Sequence, residues 1–241
     1  MLKQSGRARQ LRIQASPRGN RRKRLSDTER SKRPQSSYDL QSAFSARDTQ
    51  EIAELYDSWS EDYEEAVLSW GYATPAVTAW VLGRRVEPEG GTVLDAGAGT
   101  GLMGEVLAPL GYGDLVGIDV SPKMLEIARE KGVYRDLHEM ALGGKLDLPS
   151  DAFDAVISTG VFAEGHAPPE SFEELIRATK PGGHLVFSVR TDVYVDGGFK
   201  EKQEAFESEG KWRLVEMTDP FSHLRFEDPK LKCRVFAYEV L

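Results

Sequence analysis

The run from Val93 to Leu102, Val-Leu-Asp-Ala-Gly-Ala-Gly-Thr-Gly-Leu, constrains this chain more than any other. Its apolar start reads as a buried strand, its alternating glycines as a tight turn, and the residues from Leu102 onward as a helix. Glycines in such a turn allow positive φ and let the backbone come close to a ligand. The helix that follows points its free N–H groups at the same place. Strand, glycine turn and helix together are the opening of a doubly wound α/β domain. Asp95, within the strand tip, adds a chemical preference. A carboxylate repels a pyrophosphate and suits a ligand that carries positive charge.

The glycines alone leave the ligand open. Gly99-x-Gly101-x-x-Gly104 also satisfies the dinucleotide fingerprint, so NAD competes. Asp114 to Val120 reads as a second strand ending in Asp119, an acid that would hold ribose hydroxyls in either case. The segments that discriminate come later: Phe153-Asp154-Ala-Val-Ile-Ser158 and Lys180-Pro181-Gly182-Gly183. With Asp95 and Asp119 they resemble the motifs of class I methyltransferases, whose cofactor, S-adenosylmethionine, carries an ammonium and a sulfonium. Leu55 to Tyr63, Gly71 to Pro75, Phe162 to Pro168 and Arg190-Thr191 are similar, more narrowly, to the methyltransferase-like protein 27 family of the Williams–Beuren syndrome region. That resemblance runs from about Asp48 to Leu241.

The rest of the chain alternates strand and helix signals. Helical spacing joins Ile52, Leu55, Tyr56 and Trp59. Thr74-Pro75 opens a helix with threonine as N-cap, and Gly83 ends it. Strands are expected at Thr92–Ala96, Asp114–Val120, Tyr134–Leu142, Phe153–Ser158, Gly183–Val189, Trp212–Met217 and Arg234–Leu241. Ser121-Pro122 caps the helix after the second strand. This alternation means a parallel sheet with helices on both faces. The resemblance implies a Rossmann-like α/β fold with a doubly wound, seven-stranded sheet, its last strand antiparallel. It also implies lid helices over residues 48–83.

For the cofactor, the resemblance implies that Asp95 and the Gly97 backbone hold the ammonium end and that Gly99 and Gly101 complete the turn. Asp119 takes the ribose hydroxyls, and Val120 lies on the adenine. Tyr56, Trp59 and Tyr63 look like the lid, although aromatic residues at helical spacing are equally what a packed core helix shows. Many class I enzymes carry an acid after the third strand. Here the stretch reads Met140-Ala141-Leu142-Gly143-Gly144, so the adenine amino contact falls to backbone at Ala141 and Leu142, or to Asp147 in a shifted register. Thr159, at the end of the fourth strand, completes the set.

Transfer from a sulfonium needs mainly alignment and exclusion of water. Where the acceptor arrives protonated, Glu164 and His166 are the candidate bases. A loop histidine bonded to backbone is the alternative reading of His166. Ser158-Thr159-Gly160-Val161 stands where enzymes that methylate the amino groups of adenine or glutamine carry Asn/Asp-Pro-Pro-Tyr/Phe, which weakens that substrate class. One cysteine and four scattered histidines give no metal-ligand spacing.

Charge decides among partners. Residues 1–35 hold 12 Lys/Arg against Asp27 and Glu29, a local charge of +10, leaving −18 for the rest of a chain whose net charge is −8. The acidic part argues against a nucleic-acid substrate. The first 46 residues, polar and without apolar period, read as a basic, disordered tail, and residues 47–241 as the methyltransferase domain. Arg21-Arg22-Lys23-Arg24 leaves a nuclear address open and the Arg-rich start an organellar one. The single Cys233 and the lack of an apolar run near 18 residues otherwise point to the cytoplasm, with no membrane. The reading is a S-adenosylmethionine-dependent methyltransferase acting on a small molecule, with a protein acceptor second. Its competitor is a non-catalytic S-adenosylmethionine-binding module that works through protein partners.

Overall fold

A computed structural model describes residues 49–163 and 165–241. The expected basic tail and Glu164 lie outside the described residues. Helices α1 (Thr49–Trp59), α2 (Tyr63–Ser69) and α3 (Thr74–Leu82) lead into β1 (Val93–Ala96). Then come α4 (Leu102–Leu107), β2 (Leu115–Asp119), α5 (Pro122–Glu130), β3 (Asp136–Glu139), β4 (Phe153–Phe162), α6 (Ser171–Ala178) and β5 (Thr179–Arg190). Helix α7 (Phe199–Ser208), β6 (Trp212–Met217), β7 (Phe221–Leu224) and β8 (Asp228–Val240) complete the chain.

The strands lie in the order β3-β2-β1-β4-β5-β8-β6, with β7 paired to β8 off that path. The pairs β1–β2, β1–β4, β2–β3 and β4–β5 are parallel, and β8 runs antiparallel to β5, β6 and β7. This is the expected α/β sheet with one addition. Strand β7 makes eight strands among the described residues, because residues 221–233 fold into a hairpin rather than a loop. No Asn-Gly or Asp-Gly pair marks its turn at Arg225-Phe226-Glu227, the cue that would have revealed it. The last strand accordingly starts at Asp228 rather than Arg234, and β5 starts at Thr179 rather than Gly183.

Side chains alternate along each strand, so the sheet feeds two cores. Leu94 and Ala96 join Ile118, Phe187 and Tyr238 on one face. Val93 joins Leu115, Ile157 and Leu82 on the other. An aromatic stack anchors the first face, with the rings of Trp212 and Tyr238 4.1 Å apart. Burial at this scale, roughly 1.5–3 kcal/mol for each large apolar side chain, holds the sheet that positions the glycine turn.

The N-terminal helices divide into two kinds. Helix α3 packs on the sheet, with Val81 and Leu82 fully buried in the second core. The lid reading therefore narrows to α1 and α2, since α3 is held by core contacts. Thr74 also departs from expectation. Its hydroxyl sits 2.9 Å from His223 Nδ1 and makes no cap bond. Ser121 does cap α5, accepting from the Met124 N–H at 3.1 Å.

Candidate active site

The glycine turn leaves β1 above a buried acid. Strand alternation places Asp95 on the same face as Val93, toward α4 rather than into the turn. Its Oδ2 accepts from the Tyr134 hydroxyl at 2.6 Å, and that hydroxyl accepts from the Gly104 N–H at 3.0 Å. The other oxygen, Oδ1, is buried without a hydrogen-bond partner. Burial pushes the Asp95 carboxyl up to about 7; the Tyr134 bond pulls it down and the Asp119 charge adds to the rise. A buried carboxylate oxygen with no partner is costly, and a cation that approached the turn would relieve it.

Asp119 closes β2 beside the turn. Its Oδ2 accepts from Gly99 N–H at 2.8 Å and its Oδ1 from Ser121 N–H at 2.9 Å. Burial raises its pKa against these backbone donors, and the Asp57 charge adds to the rise. Gly97 and Gly99 hold φ of 88° and 54°. A Cβ on Gly97 would meet Val161 Cγ2 at 2.2 Å, whereas one on Gly99 would meet nothing within 4 Å. Gly97 is thus glycine because the wall of β4 presses on it, and Gly99 because its backbone borders open space.

That space is a cavity of about 390 Å³, within the range of small-molecule sites. Gly97, Gly99, Asp119 and Val120 form its floor. Ala141 and Leu142 line one side, and Thr159 and His166 another. Tyr56 and Tyr63 close it from the helices. Three expected residues are elsewhere. Asp95 lies behind the turn for the alternation reason above. Gly101 is the left-handed residue before α4, and its place would be filled by a Cβ 3.1 Å from Tyr134. Trp59 packs on Met124 and borders a second, smaller cavity instead.

Other lining residues went unread in the sequence. Ile52 and Met124 are at the wall because α1 docks on α5: Asp57 Oδ1 accepts from the Ser121 hydroxyl at 2.5 Å and from Lys123 N–H at 3.2 Å. Nothing in the spacing pairs Asp57 with residues 64 positions away. Tyr134, which ties Asp95 to α4, reads in the sequence only as the start of a strand. His166 Nε2 and the Tyr56 hydroxyl form a hydrogen-bonded pair at 2.9 Å. Burial first, then the charges of Tyr63 and Asp119, hold the Tyr56 phenol well above its usual range, so it keeps its proton.

A family model described as "Methyltransferase domain" matches residues 94–187, from β1 through β5. The chain belongs to the class I S-adenosylmethionine-dependent methyltransferases. It is 34% identical over 165 residues to Methyltransferase-like protein 27 of Homo sapiens, a match covering 66% of each chain. It is 31% identical over 148 residues to a demethylmenaquinone methyltransferase of Symbiobacterium thermophilum, covering 57% of this chain and 58% of that one. The chain thus spans just under two thirds of the human relative's length and less of the bacterial one's. A chain from the complex of the Haloferax volcanii Trm112 methyltransferase activator with a methyltransferase shares the fold, with TM-score 0.59 and 23% identity. That likeness covers 77% of this chain and 97% of that one.

The family's cofactor is S-adenosylmethionine, and the site fits it. Asp95 offers an unpartnered buried oxygen to a cation, Asp119 offers acceptors to hydroxyls, and Gly99 leaves room for close approach. Among the described residues no helix is long and apolar enough to cross a membrane.

Proposed function

We propose that this chain transfers a methyl group from S-adenosylmethionine to a small-molecule acceptor. The observation that carries this is a cavity floored by Asp119 and the open Gly99 backbone, with the unpartnered Asp95 oxygen buried behind the same turn of a class I methyltransferase fold. Asp95 would hold the ammonium end, Asp119 the ribose, and Val120 with Ala141 and Leu142 the adenine. Bound there, S-adenosylmethionine supplies an activated methyl: the bond to the acceptor forms as the sulfur–carbon bond breaks, the electron pair stays on sulfur, and any acceptor proton must leave.

His166 is the group placed to take that proton. It borders the cofactor cavity beside Thr159 and Gly160, and its Nε2 already faces a hydroxyl, that of Tyr56. Tyr56 aims the imidazole, and Tyr56 and Tyr63 border the cavity from the two helices. A small acceptor is favoured because Ile52 and Tyr56 of α1 and Tyr63 of α2 border the cavity. The bacterial relative named as a demethylmenaquinone methyltransferase also has a small-molecule name. The test is methyl release from labelled S-adenosylmethionine against a small-molecule extract, with S-adenosylhomocysteine binding measured in parallel. His166→Gln should lower turnover by about 10²–10⁴-fold and leave S-adenosylhomocysteine affinity within about twofold. Binding without turnover on any acceptor would instead favour a non-catalytic module.

A further inference from the structure

Tyr134 stands just before β3, yet its side chain reaches back over β2 to the strand that carries Asp95. Its ring lies over Gly117, the β2 residue in register with Asp95. A Cβ on Gly117 would stand 3.3 Å from Tyr134 Cδ1, and one on Gly101 3.1 Å from Cε2. On Gly104 a Cβ would meet Cζ and the hydroxyl at 2.6 Å. Glycines from the turn, from α4 and from β2 thus clear one channel for a single ring.

The hydroxyl at the end of that channel is fully committed. It accepts from the Gly104 N–H at 3.0 Å, one of the first-turn donors of α4, whose N-cap, Gly101, has no side chain to serve it. A tyrosine hydroxyl has one proton to give, and here it goes to Asp95 Oδ2 at 2.6 Å. Burial first, then the Asp95 charge, hold the phenol well above its usual range, so it remains a donor.

We propose that Tyr134 is a positioning residue of the cofactor site: its hydroxyl pins Oδ2 of Asp95, so that Oδ1 is kept for the cofactor's ammonium. The inference rests on the assignment of Asp95 to that ammonium and deepens it. Among the described residues Tyr134 alone donates a hydrogen bond to this carboxyl, and Oδ1 is buried without a partner. Turning the carboxyl would break the one bond it has, so the bare oxygen keeps one direction. The ionisable groups that face Asp95 are Tyr134, Asp119 at the end of β2 and Tyr72 after α2. Burial favours the proton on Asp95, the Tyr134 bond opposes it, and the Asp119 charge adds to the rise. Tyr72, kept neutral by burial, brings no charge. Tyr134 is therefore the neighbour that keeps Asp95 ionised near neutral pH, as the partner of an ammonium must be.

Tyr134→Phe keeps the ring over the three glycines and removes only the hydroxyl. Two ligands are titrated by calorimetry into the full chain between about pH 5.5 and about pH 8.5. One is S-adenosylhomocysteine; the other is 5′-methylthioadenosine, which has the same adenosine and no amino-acid end. In the unaltered chain S-adenosylhomocysteine affinity should fall below about pH 7. In Tyr134→Phe the fall should begin about one pH unit higher, a loss of about five- to tenfold near pH 6.5. Methylthioadenosine should bind within about twofold of the unaltered chain at every pH, which also shows that the variant is folded. Gly104→Ala, whose Cβ would push the hydroxyl aside, should repeat the pattern. An unmoved pH profile in Tyr134→Phe, or equal weakening of both ligands, would overturn the positioning role and leave Tyr134 a packing residue. An unaltered chain whose S-adenosylhomocysteine affinity ignores pH would instead overturn the assignment of Asp95, and one that binds no S-adenosylhomocysteine the methyltransferase reading beneath it.

Discussion

The two cavities are built in opposite ways. The floor of the larger one is nearly local in sequence: Gly97 and Gly99, and Asp119 with Val120, come from the turns that leave two adjacent strands. The wall of the smaller one gathers Trp70, Tyr72, Arg190, His223 and Leu231, separated by up to 161 positions. A local turn carries its chemistry in its spacing, because the strand and the helix fix where each residue points. A wall assembled over such separations carries it only in tertiary packing. The difference teaches where a change should be confined: one in the turn should silence the cofactor, and one in the wall should cost stability.

The sharpest break of that comparison is a pair of glycine substitutions. Gly97→Ala forces a Cβ into Val161 Cγ2 at 2.2 Å and a side chain onto a φ of 88°. Strain of about 1–2 kcal/mol for the backbone and about 1–3 kcal/mol for the overlap falls on the cofactor floor. Calorimetry should show S-adenosylhomocysteine affinity down more than about thirtyfold. Gly71→Ala meets the Phe226 ring at 2.7 Å with φ of 74°, at the seam between the hairpin and the segment after α2. It should cost about 1–3 kcal/mol in denaturant unfolding yet leave that affinity within about threefold. Equal loss of affinity in both variants would merge the two regions into one.

A smaller effect is expected at Asp119. Asp119→Ala removes the acceptors assigned to the ribose and also frees the Gly99 and Ser121 N–H groups. Charge-assisted bonds of about 1.5–3 kcal/mol put the loss at about ten- to a hundredfold. Unchanged affinity would remove Asp119 from the cofactor site.

The third test sharpens the cofactor side through pH. Asp95 must ionise to meet an ammonium, and its carboxyl stands at about 7, above the ordinary 3.8. Affinity for S-adenosylmethionine should therefore be flat above pH 7 and fall about tenfold per unit below it. The sign for the ligand-free fold is the reverse. The folded chain holds this proton more tightly than the unfolded chain does, so the stabilisation is full below the unfolded value and lost as pH rises through about 7. Tm should decline between about pH 4 and about pH 7 and level off above, and Asp95→Asn should flatten both curves.

The sequence showed the sheet and the cofactor turn plainly, because both are written locally. Alternation of Val93, Leu94 and Ala96 marks a strand buried on two faces, and the glycines after it have no other common use at that spacing. The hairpin at 221–233 is silent in the sequence because its turn has no glycine or asparagine to mark it. Thr74 reads as a cap because its neighbour Pro75 fits the first turn, whereas tertiary contact with His223 claims its hydroxyl instead. Asp95 was assigned to the ligand, and the Tyr134 partner that half-occupies it lies 39 positions away, beyond any local pattern.

The four tryptophans divide the molecule among themselves. Trp212 is wholly buried in the aromatic stack, and Trp80 is 55% exposed under Arg84. Trp59 and Trp70 both border the smaller cavity. Their emission should therefore report separate events. The bluest component, from Trp212, shifts only when the sheet melts. The reddest, from Trp80, is open to external quenchers throughout. What lies between belongs to Trp59 and Trp70, and it should respond when the smaller cavity is filled. The chain carries its own optical gauge of what enters the smaller cavity, with an internal control for unfolding, and needs no label to read it.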